Sequence, residues 1–356
     1  MANGLLILED GTQFRGVLIG SSENSTGELC LFTGMSGYQE AFTDPSYFGQ
    51  IIVMSNAHIG NYGWKDGESE SEHIQVSGVI CRNLSNYNSR KGSKNLIDVF
   101  KKANKTILKD VDTRAVINHL RKFGNMNGVI CAKEHINSAM AFLKNSKKMS
   151  GRNVSSELEK DKTIKCFTPR DSNLNVGLFD FGIKENIVRE LMKRGCSVTV
   201  YNQNSLPETY DMDGYLISNG PGDPASMKEE IDAIKRLVLS KKPIFGICLG
   251  HQLLALSQGL ETYKMHTGHR GCNHAVLNVQ TGKAEVTSQN HGFAVKEFKR
   301  EDIETTHLNL NDGTVEGIRL KNYPAFSVQH HPEACAGPHD SSYLFDDFIK
   351  MMQENK

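Results

Sequence analysis

The sequence predicts an α/β protein in two parts. A C-terminal domain is built on an open, mostly parallel sheet, and a separate mixed α/β domain precedes it. Three observations lead there. The chain has 356 residues, long for one hydrophobic core and comfortable for two. From residue 173 onward, short apolar runs alternate with helical stretches of about ten residues, the pattern of βαβ units. Between the halves, "SGRNVSSELEKDKTIKCFTPRDS" (150–172) is polar and broken by a proline. These place an N-terminal domain at 1–150, a linker at 151–172 and a C-terminal domain at 173–356.

In the first domain, the alternation Leu5, Ile7, Glu9 reads as a strand leading into an Asp10-Gly11 turn. "QIIVMSNAHIG" offers a strand at 50–55, and another follows at 76–80. "TRAVINHLRKF" (113–123) has helical spacing, with Asp112 or Thr113 as N-cap. "NGVICA" (127–132) reads as a strand and 137–149 as a short helix.

In the second domain, "NLNVGLFDFG" is a strand ending near Asp180. "KENIVRELMKRG" is a helix stopped by Gly195, and "CSVTVYN" is the next strand. "DGYLISNGPGDP" is a third strand ending in a Gly/Pro-rich turn, and 227–239 is helical. "PIFGI" is a fourth strand, followed by a helix beginning at Leu249. "HAVLNV", "KAEVTSQ", "FAVKEF", "GTVEGIRL" and "AFSVQ" are shorter and read as a β-rich, hairpin-like extension.

Composition excludes several classes. Lysine plus arginine and aspartate plus glutamate number 41 each, so there is no basic footprint for nucleic acid. No run of 18 apolar residues suggests a membrane span, and the N-terminus has no signal-peptide pattern. The eight cysteines form no CxxC and no metal-like cluster, which fits reduced thiols in a cytoplasmic protein.

In "GICLG", Cys248 lies directly after an apolar strand and directly before a helix, flanked two residues away by Gly246 and Gly250. Ligands of open α/β sheets sit at the carboxyl ends of strands. A sharp strand-to-helix turn projects a nucleophile there, and a helix N-terminus favours a thiolate. The alternative is a buried structural cysteine. A thiolate needs a base and an orienting group. "SVQHHPEA" supplies His331 and Glu333, while the neighbouring His330 points to the other side of an extended segment. In "SNGPGDP", a backbone N–H could complete an oxyanion hole with that of Leu249; a tight loop without substrate contact is the alternative. Neither GxGxxG nor GxxxxGK[ST] occurs in this loop.

"GPGDP", "GICLGHQLLAL" and "HPEA", in this order, resemble class I glutamine amidotransferases of the Cys-His-Glu type. That resemblance covers 173–356. "LEDGTQFRG", "GMSGYQEAFTDPSY", "HIGNYG" and "DVDTRAVINHLR" extend it over essentially the whole chain, to the small, glutamine-hydrolysing subunits of carbamoyl phosphate synthetases. The resemblance implies Cys248 as nucleophile, His331 as base and Glu333 as its orienting carboxylate. It implies oxyanion N–H groups from Gly220 and Leu249, and glutamine contacts from Gly220, Gly222, Leu249, Gln252, Asn290, Gly292 and Phe293. Ser46 would reach the same pocket. Phe293 as core, Gly292 as a turn and Ser46 as a cap are the structural alternatives. The resemblance further implies L-glutamine as substrate and no cofactor or metal in this chain. ATP, Mg²⁺ and bicarbonate would be used by a large partner subunit, in a heterodimer or an assembly of heterodimers. That subunit would receive ammonia through a tunnel and make carbamoyl phosphate for arginine and pyrimidine synthesis.

The chain departs from the family text at Gly34 and Ser36, where Ser and Thr are typical, and at Cys272 and Ala275, where Gly and Pro are more usual. His330 and Cys335 are local variants. None belongs to the expected triad; they bear on the pocket rim and the subunit contact.

Overall fold

A computed structural model describes residues 2–21, 23–158, 165–202 and 211–356. It divides into two compact units, Met1–Met149 and Ser150–Lys356.

The first unit contains a closed seven-stranded barrel. Its strands are β1 (Ala2–Leu8), β2 (Gln13–Gly20), β3 (Ser25–Phe32), β4 (Ile51–Met54), β6 (Gly78–Ile80), β8 (Thr106–Lys109) and β9 (Asn127–Ala132), in the order β1-β2-β8-β6-β4-β3-β9. The short β5 (His58–Ile59) and β7 (Asn83–Leu84) pair separately. Alternation sends side chains to two apolar faces. Ile51 and Val53 join Leu29, Ile80 and Leu108, with Val116 and Leu120 of α3 (Thr113–Phe123). Ile52 and Met54 join Cys30, Val79 and Ile107, against α1 (Tyr38–Thr43) and α2 (Leu96–Lys102). Asp112 is the N-cap of α3: its carboxylate accepts from the Ala115 N–H at 3.1 Å. The expected helix at 137–149 is α4 (Ile136–Lys144). Sequence reading found several strands but not the closure, because β1 pairs with β9 across more than a hundred residues.

The second unit is built on a ten-stranded sheet. β11 (Leu174–Asp180), β12 (Cys196–Asn202), β13 (Gly214–Ile217), β14 (Ile244–Ile247) and β19 (Ala325–Val328) run parallel, in the order β12-β11-β13-β14-β19. Both sheet faces are apolar, as a covered parallel sheet requires. Phe179, Tyr215 and Ile217 pack with α6 (Lys228–Leu239) and α7 (Leu249–Ser257). Leu178, Leu216, Phe245 and Ile247 pack with α5 (Glu185–Lys193) and α8 (Tyr343–Glu354). Phe245 stacks on Phe326 at 4.6 Å between ring centres and meets Phe345 edge-on at 5.6 Å.

Three expectations need correction. Residues 150–158 and β10 (Lys165–Phe167) are not a free linker. β10 pairs with the sheet edge at β12, and Ser155 Oγ donates to the Phe181 carbonyl at 2.6 Å. Within the expected linker, 159–164 lie outside the described residues, and 168–172 lead without regular structure into β11. "KAEVTSQ" and "FAVKEF" are not two strands: all of the first and the opening "FAV" of the second belong to the single β16 (Lys283–Val295), which pairs with the 17-residue β15 (Thr262–Asn278). The buried polar run between them hides the continuity from an apolar-alternation rule. "AFSVQ" is not part of the extension but lies in the parallel core as β19. β17 (Ile303–Asn309) and β18 (Val315–Leu320) complete the antiparallel part, and β17 pairs with both β15 and β18. Among the described residues, no helix is long and apolar enough to cross a membrane.

Phe348 is fully buried and its ring centre lies 5.8 Å from that of Phe245. Phe348→Ala removes one of the buried anchors of α8 and is expected to cost about 3–5 kcal/mol. A lowered urea midpoint checks this; an unchanged midpoint would show that α8 contributes little to the core.

Candidate functional site

Parallel pairing of β14 with β19 sets Gly246 opposite Ser327 and Ile247 opposite Val328. The residues that follow both strands therefore emerge side by side, at the carboxyl edge where open α/β sheets hold ligands. Cys248 follows β14 and His331 follows β19.

Cys248 sits at the N-cap of α7 with φ 54° and ψ −102°, outside the regions ordinary residues favour. Such a backbone costs on the order of 1–3 kcal/mol and persists only where its surroundings hold it. Here the Cys248 N–H donates to the Val328 carbonyl at 2.9 Å, and its carbonyl accepts from the Gln252 N–H at 3.2 Å. The flanking glycines supply clearance. A Cβ on Gly250 would lie 2.1 Å from the Ile217 carbonyl oxygen, and one on Gly246 would lie 2.8 Å from that of Gly250. The thiol is buried, 3% exposed, with Sγ 3.6 Å from the Asn290 carbonyl oxygen.

The His331 backbone is fixed by its N–H donating to the Ser288 carbonyl at 2.9 Å. Its Nδ1 lies 2.6 Å from Glu333 Oε1. A carboxylate only accepts, so Nδ1 carries the proton. Nε2 meets no hydrogen-bond geometry among the described residues, yet the Cys248 thiol lies close enough to raise the proton affinity of the ring. Glu333 is gripped from its other side by Lys184, whose Nζ donates to Oε1 at 3.0 Å and to the Ala334 carbonyl at 2.6 Å. Asn186 Nδ2 donates to the Glu333 carbonyl.

Burial opposes charge on both His331 and Glu333, and their partners outweigh it. Glu333, then Cys248, hold the His331 imidazolium up to about 10. Lys184, then His331, hold the Glu333 carboxyl down to about 2.

Lys184 and Asn186 escaped the sequence reading. The signal available was "GIKEN", directly after β11 at the same carboxyl edge.

The other expected residues fall as follows. Gly220 lies against the nucleophile turn: a Cβ there would stand 2.9 Å from Leu249 Cδ2 and 2.3 Å from the Phe181 carbonyl oxygen. Gly222, two residues on, packs against the backbone of 152–154. Gln252 Nε2 donates to the Phe293 carbonyl at 2.7 Å and to Gln329 Oε1 at 2.9 Å, so both amide protons are used within the protein. Asn290, Gly292 and Phe293 lie on β16, with the Asn290 carbonyl at the thiol and the Phe293 ring buried. Ser46 lies in the first unit, in a 3₁₀ turn, with its N–H donating to Asp44 Oδ1 at 2.8 Å. His330 is fully buried, its ring centre 5.6 Å from that of His307. Away from the thiol, His269, His291 and Glu316 bring potential metal-ligand atoms within 4.8 Å of one another.

Residues 177–351 match the family described as "Glutamine amidotransferase class-I", and 6–130 match "Carbamoyl-phosphate synthase small chain, CPSase domain". The chain is 45% identical to a carbamoyl phosphate synthase small chain of Staphylococcus haemolyticus, over 99% of this chain and 96% of that one. It is 43% identical to one of Lactococcus lactis over the full length of both. It is 42% identical to one of Chlorobaculum tepidum, over 99% of this chain and 98% of that one.

The opposed displacements of His331 and Glu333 make stability depend on pH. The depressed Glu333 contributes fully above its ordinary 4.5 and fades as pH falls through about 2. The raised His331 contributes fully below its ordinary 6.5 and fades as pH rises through about 10. The stability gap between the wild type and Glu333→Gln is therefore widest between about pH 4.5 and 6.5 and narrows on either side. Urea midpoints of both proteins at about pH 3, 6 and 9 check this; a gap flat across that range would contradict the ion pair.

Proposed function

The chain belongs to the carbamoyl phosphate synthase small chains, and from that premise we infer that its glutaminase half-reaction runs on Cys248, His331 and Glu333. Glutamine is hydrolysed to glutamate and ammonia, and the ammonia feeds a partner synthetase. The observation that carries the residue assignment is the imidazole of His331, held by Glu333 at 2.6 Å on one side and coupled to the Cys248 thiol on the other.

The chemistry follows from that arrangement. An imidazolium beside sulfur is the counter-charge a thiolate requires. Sγ of Cys248 attacks the side-chain carbonyl carbon of glutamine, and the electron pair moves onto oxygen. The N–H groups of Gly220 and Leu249 stabilise that oxyanion. As the C–N bond breaks, His331 gives its Nε2 proton to the leaving nitrogen, which departs as ammonia and leaves a thioester on Cys248. Neutral His331 then takes a proton from water, and the hydroxide attacks the thioester. Collapse releases glutamate and restores the thiolate–imidazolium pair. Glu333 keeps the Nδ1 proton in place throughout, and Lys184 keeps Glu333 ionised.

The substrate contacts extend the same reading. The backbone of Asn290, Gly292 and Phe293 runs past the thiol and suits the main-chain groups of glutamine. Gly222, close against the backbone of 152–154, is assigned to the same pocket beside Gly220. The amide protons of Gln252 are used internally, so its contribution to glutamine is the acceptor Oε1.

The partner is a large ATP-dependent subunit in a heterodimer or an assembly of heterodimers. ATP, Mg²⁺ and bicarbonate are consumed there in making carbamoyl phosphate for arginine and pyrimidine synthesis. The eight cysteines are all free, in keeping with a reducing, cytoplasmic setting.

Cys248→Ser keeps the shape and removes the thiolate. It is expected to lower glutamine-dependent carbamoyl phosphate synthesis by the assembled enzyme more than about a thousandfold. Synthesis from added ammonium salt should be retained. Assaying both nitrogen donors with the same preparation checks this, and glutamine use at the wild-type rate would sink the assignment.

A further inference from the structure

His269 on β15 and His291 on β16 are directly paired across the strands, and Glu316 comes from β18. All three are buried, at 9%, 5% and 0% exposure. They take no part in the chemistry at Cys248.

Hydrogen bonding assigns the ring protons. His269 Nε2 lies 2.9 Å from Asp312 Oδ2, and His291 Nδ1 lies 2.8 Å from the Phe293 carbonyl oxygen. Both partners only accept, so each of these nitrogens carries a proton. In the neutral rings the other nitrogens, His269 Nδ1 and His291 Nε2, carry lone pairs; at His269 burial opposes a charge but Glu316 and Asp312 outweigh it and raise the proton affinity, so a proton on Nδ1 competes with a metal there. They face one carboxylate oxygen: Glu316 Oε1 lies 3.4 Å from His269 Nδ1 and 3.9 Å from His291 Nε2. His291 Nε2 has no hydrogen-bond partner among the described residues. Asn309 Nδ2 reaches part of the cluster, at 3.0 Å from Glu316 Oε1 and 3.4 Å from His269 Nδ1, and Gln289 Nε2 donates to Oε2 at 2.9 Å. Asn309 and Gln289 thus serve Glu316, and the unfilled buried acceptor is His291 Nε2, which a cation shared with His269 Nδ1 and Glu316 Oε1 would fill.

We propose that His269, His291 and Glu316 bind one divalent transition-metal ion, with Zn²⁺ the ion whose chemistry fits best. Two imidazoles and one carboxylate are a zinc ligand set. Metal–ligand bonds of about 2.0–2.2 Å place tetrahedral ligands roughly 3.3–3.6 Å apart. The 3.4 Å separation already meets this, the 3.9 Å one needs a closure of a few tenths of an ångström, and the two imidazole nitrogens, within 4.8 Å of each other, close on the ion as it binds. Supports of the usual metal-site kind are also present: a carboxylate behind one imidazole and a backbone carbonyl behind the other fix both tautomers. Asp312 is itself oriented, its Oδ1 accepting from the N–H and hydroxyl of Thr314 at 3.1 and 2.8 Å. Its side chain is 42% exposed, which gives the ion a route from solvent. The ion would tie β15, β16 and β18 together immediately beside Asn290, Gly292 and Phe293. Only that link to glutamine binding rests on the proposed function; metal binding itself does not.

The test uses the full chain with Zn²⁺ and Co²⁺ as probes. After loading, dialysis and gel filtration, about one Zn²⁺ per chain should remain, and the Co²⁺ form should show visible d–d bands without a near-ultraviolet thiolate band. Asp312→Asn should weaken Zn²⁺ binding about 10–100-fold, and Glu316→Gln should weaken it at least as much. Retention below about a tenth of an equivalent, a thiolate band, or unaltered affinity in Asp312→Asn would overturn the proposal. Should Glu316→Gln fail to fold, the wild-type Co²⁺ spectrum and the partly exposed Asp312 variant still decide it. Loss of glutaminase in Cys248→Ser leaves this metal content untouched, so the two readings fail separately.

Discussion

Four parallel residue pairs, from Ile244–Ala325 to Ile247–Val328, set the geometry of the candidate site. Because both strands run the same way, their carboxyl ends finish together, and the chain must turn twice at the same edge. One turn carries Cys248 and the other carries His331. Burial of the aromatic cluster around Phe245 and Phe326 holds these strands in place from the face opposite α7. The strained backbone at Cys248 is tolerable only on such a base, since its N–H is anchored to the last residue of the neighbouring strand.

Electrostatics then act on what the sheet has brought together. A buried carboxylate and a buried imidazolium each pay heavily for lost hydration, and a pair is stable only when further hydrogen bonds complete it. Lys184 at the N-cap and Asn186 in the first turn of α5 do so, and the hydrogen-bonded chain Lys184–Glu333–His331 draws on two separate strand ends, those of β11 and β19. Lys184 and His331 together outweigh the burial that would otherwise neutralise Glu333.

Much of this was legible in advance. The strand, glycine, cysteine and helix of "GICLGHQ" could be placed because a strand-to-helix elbow is local chemistry. The apolar run, the small flanks and the helix start occupy a dozen consecutive residues. His331 and Glu333 were legible because Pro332 and the spacing of two confine them to one turn. Lys184 was not, because a lysine at a helix start ordinarily faces solvent, and only β11 carries this one inward. The antiparallel strands were read in fragments for a similar reason. The middle of β15 and β16 buries histidine, glutamine, asparagine and arginine, and those residues mimic a loop when only apolar alternation is counted.

The sequence by itself determined the class of both halves, the alternation of strand and helix after residue 173, and the candidates for thiol, imidazole and carboxylate. Each rests on periodicity or on neighbours a few residues apart. Tertiary structure alone decided the closure of the N-terminal barrel, the docking of residues 150–158 onto the second unit, and the meeting of Lys184 with Glu333. It also brought His269, His291 and Glu316 together. These depend on pairings between residues tens to more than a hundred positions apart. Such pairings are selected by the shared burial of whole faces, which no local stretch of the chain records.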